Sequence, residues 1–361
     1  IARDGRSSVF HFQRDSSFDL RRLFAPEHGL YGTDQDMVGV AGHTDPASGL
    51  EVASLYGDRP ESLTPGPQLL EDIDTLVFDI QDVGSRYYTF IYTLANCMRA
   101  CQEKGIPIVV CDRPNPINGV QVEGNLVGEA FRSFVGQYPI PNRHGMTVGE
   151  LAMLFNGHFG IGCNLAVVPM RGWKREMWHD ETGLSWVPPS PNMPTLAAAT
   201  VYPGMCLVEG SRLSEGRGTT LPFELCGAPY VEAHDAAEKL NREGLPGVWF
   251  RPHYFKPVFH KGAGKTCGGV QLHVVDRRQF KPVLTGIAVL MAIARLYPGD
   301  FAWRTEPYEF ENERLAIDLL YGNSEFRESF LNGRQPLAAI EDSWRSDLNA
   351  FMPVRQDCLL Y

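Results

Sequence analysis

The sequence lacks the features that tie a protein to a membrane or to nucleic acid. No apolar run in its 361 residues approaches the ~20 residues that a membrane-spanning helix needs. Asp and Glu total 43 against 33 Lys and Arg, and the net charge of -10 leaves no basic excess for nucleic acid or anionic lipid. Repeats of fixed period and low-complexity tracts are absent as well. We therefore expect a soluble globular protein, whose oligomeric state the sequence does not set.

Motifs for nucleotides, redox cofactors and zinc are also missing. Gly262–Thr266 looks like the end of a phosphate-binding loop, but position 259, where that motif requires Gly, is Phe. Gly157–Gly162 follows a predicted helix and precedes a predicted strand, which is the reverse of a dinucleotide-binding turn. No Cys and His spacing is typical of a zinc site. We expect neither a cofactor nor a bound metal.

Disulfide patterns are absent too, although the chain has 8 cysteines. Most lie in apolar stretches, and Cys97 and Cys101 share one face of a predicted helix, so we predict buried free thiols. Free thiols favour a reducing compartment and hence the cytoplasm. The chain begins at Ile1 without a signal-like segment, so a periplasmic or secreted protein whose signal peptide lies upstream stays open. The helix pattern at Ser7–Phe12 indicates that a first strand is missing.

Three short apolar runs dominate the first third of the chain: Leu20–Phe24, Asp74–Ile80 and Ile106–Cys111. A strong helix pattern from Thr89 to Lys104, closed by Gly105, separates the last two runs. Runs of this length, separated by helix-like stretches, are typical of parallel strands in a doubly wound sheet. The sequence therefore predicts an α/β fold with a Rossmann-like, doubly wound parallel sheet.

Polar residues follow each of these runs. Ligands of such sheets bind outside the carboxyl ends of the strands. We therefore expect one crevice to gather the charged residues that follow the strands, namely Glu27, His28, Asp82, Arg86, Asp112 and Arg113. Proton donors and acceptors would meet there, which favours an enzyme.

The second half of the chain predicts a smaller, mixed α/β domain. The proline-rich stretch Pro188–Pro194 is typical of a rigid connector, so we place the domains at 1–194 and 195–361. Within the second domain, Ser211–Thr220 holds Arg217 between two glycines and close to Glu215. Such a loop suits a ligand with a carboxylate or many hydroxyls, although a solvated loop with a local ion pair is the simpler alternative.

Five stretches of the chain carry a family resemblance. They are Phe24–Gly32, Asp79–Thr89, Asp112–Pro116, Ser190–Thr195 and Glu209–Thr219. In this order they resemble the motifs of the NamZ-type exo-β-N-acetylmuramidases. The resemblance implies a Rossmann-like domain with the active site in its cleft and a C-terminal domain that helps to close it. It also implies release of terminal N-acetylmuramic acid from the non-reducing ends of peptidoglycan fragments, with Glu27 as the catalytic glutamate.

Glycoside hydrolysis normally uses two carboxyl groups, one of them protonated. We predict Glu27 as the general acid and His28 as the residue that orients it or the departing sugar. Asp82 and Asp112 are candidates for the second carboxylate or for binding sugar hydroxyls. Arg217 or Arg86 is the candidate partner for the lactyl carboxylate of muramic acid. The predicted substrate-binding residues are Gln81, Asp82, Arg86, Tyr87, Asp112, Arg113, Asn115, Asn192, Glu209, Glu215 and Arg217.

Two other functions remain open from the sequence alone. A non-catalytic peptidoglycan- or sugar-binding protein would explain the aromatic residues and arginines. A metal-dependent hydrolase could use His28, Asp82 and Asp112 as ligands.

Overall fold

Three three-stranded sheets form the β structure of the part of the chain that our computed structural model describes, residues 4–332 and 335–361. The first sheet has its third strand in the middle and contains β1 (Arg22–Ala25), β2 (His43–Thr44) and β3 (Glu51–Ser54). The second is parallel throughout, in chain order, and contains β4 (Leu76–Phe78), β5 (Ile108–Cys111) and β6 (Leu165–Val168). The third is antiparallel, with its last strand in the middle, and contains β7 (Leu225–Ala228), β8 (Val248–Phe255) and β9 (Cys267–Val274).

The α-helices connect and cover these sheets. They are α1 (Ser8–Arg14), α2 (Phe90–Lys104), α3 (Val148–Met153), α4 (Leu196–Met205), α5 (Ala233–Arg242), α6 (Pro282–Leu296), α7 (Ala316–Tyr321), α8 (Leu337–Ser343) and α9 (Arg345–Gln356). Across the described ranges, no helix is both long enough and apolar enough to cross a bilayer.

The segment β4–α2–β5–α3–β6 confirms the parallel α/β prediction. Helix α2 ends at Gly105, whose φ of 77° places it in the left-handed region that terminates helices. Helix α3 begins at Thr147, whose side chain accepts from the amide of Glu150 while the Glu150 carboxylate accepts from the amide of Thr147. Strands β1 and β3 also pair in parallel, but in a separate sheet. The fold is therefore mixed α/β with a parallel sheet.

Helices α8 and α9 follow each other directly and meet at Trp344. Helix α4 was not predicted, because its sequence is apolar on nearly all sides and shows no amphipathic period. That helix is buried, so burial rather than a polar face accounts for its composition.

The largest cluster of buried apolar side chains crosses the predicted domain boundary. It includes Tyr87 and Phe90 from the first half of the chain together with Tyr202, Ile287 and Leu290 from the second. A continuous core of this kind couples the two halves mechanically. The division at residue 194 stays a prediction.

All 8 cysteines are free thiols, and all but Cys111 are buried, as predicted. Burial raises the pKa of the Cys101 thiol to about 12, which keeps it protonated and unreactive at neutral pH. We expect reductant to leave the melting temperature unchanged. Differential scanning calorimetry with and without dithiothreitol tests this. Loss of a disulfide would lower the free energy of unfolding by about 2–5 kcal/mol and the melting temperature by several degrees.

Candidate active site

One small cavity collects polar side chains from both halves of the chain. Its lining residues are Glu27, His28, Asp36, Tyr87, Tyr88, Thr89, Val135, Ser190, Asn192, Met193, Tyr202, Glu209, Arg217, Phe223, Tyr308 and Glu309.

Glu27 lies directly after β1, where Pro26 ends the strand. Its side chain is buried, and both carboxylate oxygens accept hydrogen bonds: Oε2 from the Thr89 hydroxyl at 2.6 Å and Oε1 from the Met37 amide at 3.3 Å. Thr89 immediately precedes α2, so Glu27 also faces the positive end of that helix dipole. The carboxyl end of a strand and the start of a helix thus hold this carboxylate in place.

His28 occupies a sharp turn beside Glu27. Its φ of 70° lies in the left-handed region, and its Nδ1 is 2.9 Å from the carbonyl oxygen of Asp34. A carbonyl oxygen only accepts, so this contact assigns a ring proton to Nδ1. The ring also packs edge-on against Phe90. His28 is therefore held rigidly at the cavity wall.

Arg217 reaches the cavity from a loop that depends on the glycines on either side. Gly216 and Gly218 have φ values of 82° and 79°. A Cβ at Gly218 would lie 2.5 Å from the carbonyl oxygen of Phe259, so the loop packs where no larger residue fits. This close packing holds the loop in place beside the cavity.

Three carboxylates surround the Arg217 guanidinium. Its Nη1 is 2.9 Å from Asp36 Oδ1, and its Nη2 is 2.7 Å from Glu209 Oε1. Its Nε is 3.4 Å from Glu215 Oε1. Burial alone would lower the pKa of Arg217, but Glu209, Asp36 and Glu215 hold it well above its ordinary value. The arginine is therefore permanently charged.

Behind this arginine, Glu215 does not line the cavity but supports it. Burial would raise the pKa of Glu215, yet Lys261, His260 and Arg217 together hold it well below its usual range. Lys261 Nζ is 2.9 Å from Glu215 Oε2, and His260 Nδ1 is 3.2 Å from Oε1. Glu209, by contrast, lines the cavity and accepts a hydrogen bond of 2.7 Å from the Tyr308 hydroxyl.

Two carboxyl groups in the cavity were not predicted from the sequence. Asp36 lies in the loop after the Pro-Glu-His-Gly motif, and Glu309 lies in the second half of the chain. Glu309 is buried, and its Oε2 accepts a hydrogen bond of 2.8 Å from the Tyr56 hydroxyl. Burial, reinforced by the nearby Glu27, raises the pKa of Glu309 well above its ordinary value. The only signal in the sequence is the alternation of aromatic and acidic residues around Glu309, which by itself points to no site.

The structure places seven of the predicted site residues outside the cavity lining, namely Gln81, Asp82, Arg86, Asp112, Arg113, Asn115 and Glu215. The fully buried Arg86 binds backbone rather than Asp82. Its guanidinium donates to the carbonyl oxygens of Asn125 and Leu320 at 2.7 Å, of Tyr321 at 2.9 Å and of Ile140 at 3.1 Å. Arg86 thus ties together segments far apart in the chain.

Asp82, Asn115 and Gln81 also form hydrogen bonds with backbone groups. Asp82 accepts a hydrogen bond of 2.7 Å from the Gly84 amide. Asn115 donates to the Met146 carbonyl at 2.9 Å, and Gln81 donates to the Pro114 carbonyl at 2.8 Å. These bonds hold the loops after β4 and β5 in shape.

Asp112 and Arg113 lie at the end of β5 and line a second, more open depression. Asp112 accepts from the Gly149 amide at 2.7 Å and from the Thr147 hydroxyl at 2.8 Å, which anchors the start of α3. Arg113 Nε donates to Asp79 at 2.6 Å. The structure therefore does not bring these two residues together with Glu27 and His28, and their contact with substrate stays a prediction.

Tyr87 and Asn192 line the cavity, as do Glu27, His28, Glu209 and Arg217 among the predicted residues. The Tyr87 hydroxyl donates to the Pro203 carbonyl, which orients its ring. Asn192 Nδ2 donates to Gln35 Oε1 at 2.7 Å. Both therefore shape the wall while their other atoms face the cavity.

The ligand set considered for a metal-dependent hydrolase is dispersed. His28, Asp82 and Asp112 each bind a different part of the backbone. Among the residues that the structure describes, no three His, Cys, Asp or Glu side chains are grouped as metal ligands.

Comparisons with known proteins agree along the whole chain. The family model for the N-terminal part of exo-beta-N-acetylmuramidase NamZ matches residues 1–197, and the C-terminal model matches residues 200–361. The peptidoglycan beta-N-acetylmuramidase NamZ of Bacillus subtilis (strain 168) is 45% identical over 99% of this chain and 83% of its own length.

Two solved structures of DUF1343 family proteins from Bacteroides fragilis NCTC 9343 are also similar. One is 37% identical with a TM-score of 0.88, covering 100% of this chain and 91% of its own. The other is 29% identical with a TM-score of 0.72, covering 96% of this chain and 87% of its own. Because the two family models together match nearly the whole chain, it belongs to the NamZ exo-β-N-acetylmuramidase family.

Proposed function

We propose that this protein is a glycoside hydrolase that releases terminal N-acetylmuramic acid from the non-reducing ends of peptidoglycan fragments. Membership of the family supports this activity. The observation that carries it is the position of Glu27, which the Pro-Glu-His-Gly motif places, buried and doubly hydrogen-bonded, in a cavity with other carboxyl groups. Hydrolysis of a glycosidic bond normally uses two carboxyl groups at one site.

The other side chains that line the cavity are of kinds that bind sugars. Tyr88, Tyr202 and Phe223 offer aromatic faces, on which the apolar faces of sugar rings pack. Asn192 and Ser190 add groups that can bind hydroxyls. Several N–H groups of Arg217 lie outside its bonds to Asp36 and Glu209, so this side chain is our candidate partner for the lactyl carboxylate.

We also propose roles for the two halves of the chain. Residues 1–194 form a Rossmann-like domain that supplies Glu27 and His28, and residues 195–361 complete the cleft with Glu209, Arg217 and Glu309. The presence of both groups in one cavity supports this division. A cytoplasmic location stays a prediction from the free thiols, and export stays its alternative.

Turnover distinguishes this function from its rivals. We expect the purified protein to release para-nitrophenol from para-nitrophenyl β-N-acetylmuramide and to act poorly on the matching β-N-acetylglucosaminide. We expect an added chelator to leave the rate unchanged, whereas a metal-dependent hydrolase would lose activity. Binding of the muramide without release of para-nitrophenol would favour a non-catalytic binding protein.

A further inference from the structure

Glu309 reaches the cavity on an unusual turn, and we infer that it is the proton donor of the hydrolysis, with Glu27 as its ionised partner. This inference rests on the proposed glycosidase function. It differs from the role predicted from the sequence, in which Glu27 itself carries the proton.

The backbone of the turn that carries Glu309 is strained. Tyr308 and Glu311 exchange two backbone hydrogen bonds, of 3.0 Å and 2.9 Å, across a two-residue tip. Both tip residues, Glu309 and Phe310, have positive φ values, 48° and 67°, which is the pattern of a type I′ turn. Such turns strongly prefer Asn and Gly. Retention of two bulky residues in this conformation is typical of functional sites.

The side chains of the turn hold Glu309 against the first half of the chain. Phe310 packs edge-on against Tyr56, and the Tyr56 hydroxyl donates to Glu309 Oε2 at 2.8 Å. The Tyr308 hydroxyl binds Glu209, which in turn binds Arg217. The tip is therefore fixed to both walls of the cavity, and Glu309 has little freedom to turn toward solvent.

The groups that face Glu309 are mostly acidic. Glu27, Glu209 and Asp36 all act on it electrostatically, and the Tyr56 hydroxyl is its hydrogen-bond donor. Arg217 lies in the same cavity, but its hydrogen bonds go to Asp36 and Glu209. Glu27 and Glu309 are both buried and line the same cavity, and two such carboxyl groups cannot both be ionised without a large electrostatic cost. The pair therefore holds one proton in the resting protein.

The surroundings of the two carboxyl groups decide which one holds that proton. Glu27 receives hydrogen bonds from the Thr89 hydroxyl and the Met37 amide and faces the start of α2, all of which favour a negative charge. Burial and the charge of Glu27 raise the pKa of Glu309. The proton consequently resides on Glu309, and divergent environments of this kind assign acid and partner in other hydrolases.

Atoms and charge are conserved in the proposed cleavage. Glu309 gives its proton to the bridging oxygen as the bond between that oxygen and the anomeric carbon breaks, and the bonding electron pair stays on the departing sugar. The positive charge that develops at the anomeric carbon is stabilised by the Glu27 carboxylate. A water molecule supplies hydroxyl to the anomeric carbon, and its remaining proton returns to the carboxyl pair. The net reaction consumes one water and forms two free sugars.

Leaving-group dependence tests this assignment. A para-nitrophenolate needs little protonation to depart, whereas a sugar alcohol needs much. We expect Glu309→Gln to lower kcat/KM by ~10²–10⁴-fold with a muramyl-glucosamine disaccharide and far less with the para-nitrophenyl muramide. The wild type should lose activity as pH rises through the pKa of Glu309, and this basic limb of the profile should be missing from the variant.

Two further variants supply the controls. Glu311→Gln removes a carboxylate that binds Arg314 at 3.0 Å and does not line the cavity, so its kinetics should match the wild type. Glu309→Gly deletes the carboxyl group and relieves the positive φ. We expect it to fold and to be inactive on the disaccharide. A folded Glu309→Gly protein that still hydrolyses the disaccharide would overturn the inference.

The outcomes separate this inference from the proposed function. A wild type that releases neither product overturns the glycosidase function and the donor role with it. An active wild type whose Glu309→Gln variant keeps the basic limb, or loses both substrates equally, overturns the donor role alone. Carbon-13 NMR of the carboxyl groups provides an independent measure, since one resonance should titrate above the normal glutamate range and disappear in Glu309→Gln.

Discussion

Replacing Glu27 with Gln is expected to lower kcat by ~10²–10⁴-fold on the muramide while the fold and sugar binding persist. Gln keeps the shape of the side chain and can still accept from the Thr89 hydroxyl, but it carries no charge and transfers no proton. The measurements are kcat and KM with the para-nitrophenyl muramide, together with the melting temperature. A fall in kcat at nearly constant KM would place the loss in the chemical step.

The control for this variant is Glu71→Gln, which changes an exposed glutamate in the same half of the chain. It should leave both kinetic constants unchanged. A Glu27→Gln protein that keeps more than about a tenth of the wild-type rate would show that Glu27 takes no part in the chemistry. The proposed function would then lose the observation on which it rests.

Arg217→Met is expected to lower the free energy of unfolding by about 3–5 kcal/mol. The substitution removes the cation that binds Asp36 and Glu209, whose side chains are only 11% and 5% exposed, so both charges stay buried without that partner. Urea unfolding of the variant and the wild type measures the difference. Adding Glu209→Gln should restore part of the loss, because it removes one of the unpaired charges.

The matched control is Arg242→Met, where an exposed arginine on α5 pairs with Glu238 one turn away. This pair is in solvent, so its loss should change the stability by less than about 0.5 kcal/mol. Equal effects of the two substitutions would contradict the view that Arg217 holds the acidic cavity together. Its ion pairs would then have to be fully screened by water.

The folded fraction of Arg217→Met also tests sugar recognition. If the guanidinium binds the lactyl carboxylate, kcat/KM should fall roughly 10- to 150-fold more for the muramide than for the glucosaminide. An equal fall for both sugars would mean that Arg217 only shapes its loop. Arg86, the other candidate partner for the lactyl carboxylate, is fully buried against four backbone carbonyls.

The local features of this protein could be predicted from the sequence because neighbouring residues determine them. Gly105 ends α2 through its positive φ, and the Thr147–Glu150 box starts α3. Glu27 and His28 follow a strand that Pro26 ends. The five motifs also sufficed to predict the family, since they follow one another along nearly the whole chain.

Only the tertiary structure decided which residues line the cavity. Asp112 and Arg86 follow strands just as Glu27 does, yet they bond to the first turn of α3 and the last turn of α7, because helix ends present unpaired backbone groups. Glu309 meets Tyr56 across 253 positions of the chain. A sequence shows which residues can carry a proton or a charge, but burial and neighbouring charge decide which of them do, and both arise only when distant segments pack together.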